Sequence, residues 1–101
     1  MTDYTHITKM ENILNTQTEK IEALQNILDF MEENTDRYQA LVEYYYSEQR
    51  EQDLEDDKNN RIPKTLHRGV LSEDSIYDLM GDYYHCGLRL IEVGLKMLKS
   101  R

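Results

Sequence analysis

The stretch SEDSIYDLMGDYYHCGLRLIEVGLKMLK, Ser72 to Lys99, decides the fold. Its polar residues Asp78, Asp82, His85, Arg89, Glu92, Lys96 and Lys99 recur at steps of four and three. On a helix of 3.6 residues per turn they fall in one narrow stripe. Most of the remainder is apolar or small, from Ile76, Leu79 and Met80 to Leu90, Ile91, Leu95 and Leu98. A face that wide needs more than one neighbouring helix, so the spacing predicts a helix over about 72–99 with the rest of the chain wrapped around it. Ser72 suits the N-cap, and Glu73 and Asp74 place negative charge at the positive end of the helix dipole. Lys96, Lys99 and Arg101 lie at the opposite end, where cations are favoured. Gly87 and Gly94 are seven apart and share a face, which fits the close approach of a partner backbone.

Working outward, the N-terminal third carries a heptad pattern. Ile7, Met10, Leu14, Gln17, Ile21, Leu24, Leu28 and Met31 alternate steps of three and four, and all but Gln17 are apolar. Ile13 and Ile27 widen the stripe. The pattern predicts one long helix over about 3–33 that faces the core of a bundle. Asn34, Thr35 and Asp36 interrupt it, and either Asn34 or Thr35 can cap a second helix over about 35–55. So short a break favours an antiparallel hairpin. The second helix carries Tyr38, Leu41, Val42 and Tyr45 on one face. It then runs into Glu48, Glu51, Asp53, Glu55, Asp56 and Asp57, which read as a frayed, solvated end.

The segment 58–71 is the one extended non-repetitive stretch. Pro63 suits the first position of a helical turn and Gly69 the residue just past its end, so a short turn is expected over Pro63 to Arg68. Ile62, Leu66, Val70 and Leu71 are expected to pin this loop to the bundle. The fold expected is therefore all-α: one domain over 1–101, a three-helix bundle with an N-terminal helix hairpin and a C-terminal helix packed along it. A homodimer would complete the core if the hairpin leaves it partly open.

Composition narrows the function classes. Twenty acidic against twelve basic residues give a net charge of −8. Duplex binding draws its affinity from neutralising phosphates, so direct nucleic-acid contact is disfavoured. A single cysteine excludes an internal disulfide and a cysteine-based zinc cluster. No apolar run approaches the roughly 18–20 residues of a membrane span, and MTDYTHITKM lacks a signal-peptide layout. Cytoplasmic location is expected.

The residues 44–80, YYYSEQREQDLEDDKNNRIPKTLHRGVLSEDSIYDLM, carry a resemblance. Tyr44-Tyr45, Ser47, the acidic run Asp53 to Asp57, Pro63, Leu66, the string RGVLSED at Arg68 to Asp74 and Ile76-Tyr77-Asp78-Leu79 are similar to the bacterial family catalogued as domain of unknown function 4298. The flanking helices look like that family too, so the resemblance spans nearly the whole chain. Members usually carry an aromatic residue soon after the serine matched by Ser47; here Glu48-Gln49-Arg50-Glu51 stands there. The resemblance implies a small helical cytoplasmic protein of bacteria and their mobile elements, and it implies no activity.

Candidate chemistry is sparse. Cys86 follows His85, but consecutive helical residues point about 100° apart, which is poor geometry for a nucleophile and its base. Asp82 and His85, like Asp3 and His6, have the spacing of a carboxylate–histidine metal pair. Asp82 and His85 belong to the polar stripe and not to a core, so no metal is expected. No phosphate loop, nucleophile elbow, zincin or dinucleotide motif is present. No enzymatic activity and no cofactor are expected. The reading that remains is a non-enzymatic interaction or regulatory protein that binds a protein partner through 44–72, with Tyr44, Tyr46, Arg61, Lys64, His67 and Arg68 as contact residues. Two alternatives stand beside it. The carboxylate row Glu48 to Asp57 suits an acidic mimic of nucleic acid that occupies a basic groove. The local cations Arg61, Lys64, His67 and Arg68 suit a phosphorylated small ligand.

Overall fold

A computed structural model describes residues 3–100, and Arg101, expected at the cationic end of the last helix, lies outside them. Regular structure in these residues is helical: α1 (Thr5–Glu33), α2 (Thr35–Tyr45), α3 (Glu48–Lys58), a single 3-10 turn (Gly69–Leu71) and α4 (Ser75–Lys99). The all-α class holds, with four α-helices where three are expected. Contacts divide the chain into two compact units, one ending at Tyr38 and one beginning at Gln39.

The first unit is α1 and the opening turn of α2. Asp3 accepts the Thr5 N–H at 2.9 Å and the Thr5 hydroxyl at 2.5 Å just before α1 begins. Along α1 the heptad residues form a stripe that is largely exposed, with Leu24 half-buried. At the far end, helical hydrogen bonding passes through Asn34: its N–H donates to Phe30 O at 3.0 Å, and its own carbonyl accepts from Tyr38 N–H at 3.2 Å. Neither Asn34 nor Thr35 caps α2 with its side chain, contrary to expectation. Asn34 Nδ2 donates to Phe30 O at 2.9 Å, and Thr35 Oγ1 donates to Met31 O at 2.9 Å. Both side chains serve carbonyls in the last turn of α1 instead of the amides that start α2.

The second unit departs from expectation at Tyr46-Ser47. A single helix over 35–55 is expected, and two are observed. Ser47 is the cause. Its hydroxyl donates to Tyr44 O at 2.6 Å and accepts the Arg50 N–H at 3.1 Å, so it closes α2 and N-caps α3 at once. Glu48 and Glu51 then sit in the first turn of α3, where the helix dipole favours them. The acidic run is thus a helix in its own right and not a frayed end.

α3 stops at a Schellman motif. Asn60 takes the left-handed conformation, φ 57°, while Arg61 N–H donates to Asp56 O at 2.9 Å and Asn60 N–H to Asp57 O at 3.1 Å. Asparagine adopts this conformation far more readily than a β-branched residue. Asn60→Val is expected to lower stability by about 1–2 kcal/mol and Asn60→Gly to leave it nearly unchanged, as read by chemical denaturation.

Beyond α3 the expected turn is shorter than proposed. Leu66 N–H donates to Pro63 O at 3.0 Å, and Gly69 opens the separate 3-10 turn instead of ending a helical one. That turn contacts both α3 and α4. Ser75 Oγ donates to Gly69 O at 2.6 Å, and Ser72 Oγ accepts the Ser75 N–H at 3.3 Å. Ser72 is therefore not the N-cap expected, although it holds the first amide of α4: the helix begins three residues later than the periodicity suggests, with Asp74 at the N-cap and no side-chain cap bond there.

The expected burial of α4 is not seen. Ile76, 2% exposed, is the one buried side chain among the described residues. Tyr77, Tyr84, Ile91 and Leu98 are all exposed along its length. A methyl group added at Gly87 or Gly94 would meet no described atom of the second unit within 4 Å, so that unit does not itself make the close approach expected there.

Candidate interaction site

The loop between α3 and α4 is fastened by one side chain that sequence reasoning passed over. Arg50 sits one turn into α3, with its guanidinium carbon 4.8 Å from the centre of the Tyr45 ring. Its Nε donates to Val70 O at 3.3 Å and its Nη2 to Ser72 O at 3.2 Å. The first acceptor lies within the 3-10 turn and the second is the residue that follows it. A planar fork of donors suits two carbonyls set apart in this way, which a lysine ammonium would serve less well.

The acids of α3 face the same loop at helical spacing. Asp53 accepts the Tyr44 hydroxyl at 2.6 Å and Gln49 Nε2 at 2.9 Å. Asp56 pairs with Arg61 at 3.5 Å, and Asp57 with Arg68 at 2.5 Å. Positions 53, 56 and 57 are separated by three and four, so one face of α3 supplies all three carboxylates. Of the four expected contact cations and histidine, Arg61 and Arg68 thus have their charge answered within the unit. Lys64 and His67 stand exposed.

A cleft of about 320 Å³ opens between these elements, lined by Tyr44, Asp53, Arg61, Ile62, Pro63, Leu66, His67, Arg68, Val70 and Leu71. Ile62 and Leu71 are half-buried. Leu66, 58% exposed, and Val70 line the cleft but are not buried. The three tyrosines part ways. Tyr44 lines the cleft, and Tyr45 is half-buried. Tyr46, 71% exposed, meets Tyr45 edge-on with ring centres 4.9 Å apart. Shelter under the loop is therefore achieved by Tyr44 and not by Tyr46. Cys86 is exposed.

The Tyr44–Asp53 pair leaves a mark on both acidities. Partial burial, and then the Asp53 carboxylate, push the Tyr44 phenol up to about 12, against the opposing pull of Arg50. Asp53 is held below the usual carboxylate value by the Tyr44 hydroxyl first and Gln49 second. A raised phenol stabilises the fold in its protonated form, so that contribution is whole below pH 10 and lost between pH 10 and about 12. The depressed carboxylate stabilises in its ionised form, and its contribution is lost as acid titrates it. Tyr44→Phe is expected to remove one late-ionising phenol from a spectrophotometric titration and to cost about 1 kcal/mol at neutral pH.

The family described as Domain of unknown function (DUF4298) matches residues 7–93. The chain belongs to this family. The match takes in the whole of the loop, its Arg50 anchor and the α3 carboxylates. No curated protein and no solved structure matches the chain. In this DUF4298 chain no helix is long and apolar enough to cross a membrane, among the described residues.

What sequence reasoning missed has an identifiable signal. Ser47 followed by Glu48 and Glu51 is an N-terminal helix signature, and reading it as one places Arg50, Asp53, Asp56 and Asp57 on a helix with a defined face. No sequence pattern signals that Arg50 reaches the carbonyls of Val70 and Ser72, twenty and twenty-two residues away.

Proposed function

We propose that this chain is a non-enzymatic protein-interaction module of regulatory type, with the loop between α3 and α4 as its contact surface. The observation that carries the proposal is the neutralised, fastened loop. Its arginines, Arg61 and Arg68, are spent on Asp56 and Asp57, and Arg50 of α3 holds its backbone carbonyls, while Tyr46, Leu66 and Val70 are exposed. Aromatic and aliphatic anchors with charge withdrawn from the centre are the composition of a protein-binding patch. A preordered loop also avoids the entropy cost of ordering on association.

The phosphorylated-ligand alternative is less favoured, because Arg61 and Arg68 already hold carboxylates. The nucleic-acid mimic is weakened in the same way, since Asp53, Asp56 and Asp57 are turned to partners within the unit. We further propose that the helical bundle expected from the sequence is completed by a second copy, as a homodimer, and that this covers exposed apolar stripes.

The test is affinity capture of the tagged chain from nuclease-treated extracts of its own cells, beside Leu66→Glu and a Glu48→Gln/Glu51→Gln/Glu55→Gln variant. A stoichiometric partner that survives high salt, is lost with Leu66→Glu and is kept by the triple variant supports the loop surface. A partner lost only with the triple variant, or eluted by moderate salt, supports the acidic mimic and contradicts it.

A further inference from the structure

α1 has an apolar stripe that nothing in its own unit buries, and the order of residues along that stripe says what fits it. Ile7, Leu14, Ile21 and Leu28 occupy one seam position of the heptad, and Met10, Gln17, Leu24 and Met31 the other. Two isoleucines lie outside this seam, each directly before a seam residue: Ile13 before Leu14 and Ile27 before Leu28. They are 53% and 54% exposed. Isoleucine on the flank of a heptad seam is the feature that selects the occupant.

From this we infer that the α1 helices of two chains pair antiparallel about a two-fold axis near Glu19. The inference rests on the homodimer reading above and adds the helix, its direction and its register. In this alignment Ile7 lies in one layer with the partner's Met31, and Gln17 with the partner's Ile21. Flank positions of the same kind then face each other, so Ile13 meets the partner's Ile27, and Ile27 the partner's Ile13. All four flank isoleucines of the pair leave water together. A parallel in-register pair sets Ile13 beside the partner's Thr18 and Ile27 beside the partner's Glu32. It would match Gln17 with the partner's Gln17 but strand four isoleucines against polar neighbours. Four apolar side chains outweigh one amide pair, whose net contribution is small because water serves both amides when apart.

Self-complementarity of this kind is what an isologous two-fold interface requires: residue 13 contacts residue 27, and 27 contacts 13. The helix is also long enough. The seam runs from Ile7 to Met31 with most of its large side chains near half exposure, which on pairing approaches the ~800 Å² per partner of a standard interface. The dimer carries two copies of the loop surface, so a partner with repeated sites would be held by both at once.

The experiment is pulsed electron-electron distance measurement on full-length Cys86→Ser protein spin-labelled at Thr8→Cys, with mass in solution measured by light scattering. In the antiparallel pair position 8 lies level with the partner's residue 30, so the two labels are about 22 residues of helix, or ~33 Å, apart along the axis. A dimeric mass with a label separation in that range is the expected result. A dimer with labels at nearly the same height, within about 15–20 Å, overturns the direction while leaving the homodimer reading intact. A monomer at about 100 µM overturns both, since it means that no second copy covers the stripe. Ile13→Lys/Ile27→Lys checks the register: lysine is a good helix former, so helix content by circular dichroism is expected to hold while association weakens by roughly 100-fold or more. Unchanged association of that variant contradicts the pairing of Ile13 with Ile27.

Discussion

Ile76→Ala is expected to cost about 3 kcal/mol and to release α4 from the loop, the largest effect of any single truncation in the chain. Ile76 is the one buried side chain among the described residues, at 2% exposure, and it stands in the first turn of α4. That turn is where α4 meets the 3-10 turn, and the 3-10 turn in turn meets α3. Removing the side chain takes away the apolar burial of an isoleucine and leaves a cavity at the junction of all three elements. With so little other buried surface, nothing nearby can take its place. The measurement is chemical denaturation followed by circular dichroism. A loss near 3 kcal/mol in the midpoint-derived stability is the expected outcome, and a loss under about 1 kcal/mol, the level of a surface substitution, contradicts the burial described here.

Arg50→Ala follows, at about 2 kcal/mol. The truncation removes two charge-assisted hydrogen bonds, to Val70 O and Ser72 O, and the cation over the Tyr45 ring. Part exposure of the guanidinium keeps the figure below that of a buried pair. Arg50→Lys is expected to recover less than half of the loss, because an ammonium retains the charge but not the two-pronged donor geometry. Full recovery with lysine would mean that charge alone holds the loop.

These two residues also show what could be read beforehand. Ile76 is legible as apolar but not as singular: Ile76, Leu79, Leu90, Ile91 and Leu98 look alike in a helical pattern, yet only the first is buried. Periodicity reports which residues share a face and not which of them is buried. The heptad pattern of α1 gave a helix correct to within two residues of its observed ends, because a long seam outvotes local propensity. Ser47 is hidden by its neighbours. The loss of apolar residues after Tyr46 looked like fraying, while the serine hydroxyl was in fact ending one helix and starting the next. Within the candidate site, Tyr44, Arg61 and Arg68 were legible as residues of interest, but their pairing with Asp53, Asp56 and Asp57 reverses their meaning. An arginine that appears free in sequence is engaged once α3 is recognised as a helix with a carboxylate face.

The central claim is that the loop between α3 and α4 is a fixed surface in the free protein. Amide hydrogen exchange by nuclear magnetic resonance tests it most directly, at Leu66, Leu71 and Ser72, whose N–H groups donate to Pro63, Arg68 and Gly69 carbonyls. Protection of roughly 100-fold at Leu71 and Ser72, lost in Arg50→Ala, is the expected result. Exchange at the rate of an unstructured peptide in the wild-type chain would contradict it, because a loop that is open in solution presents no preformed surface to a partner.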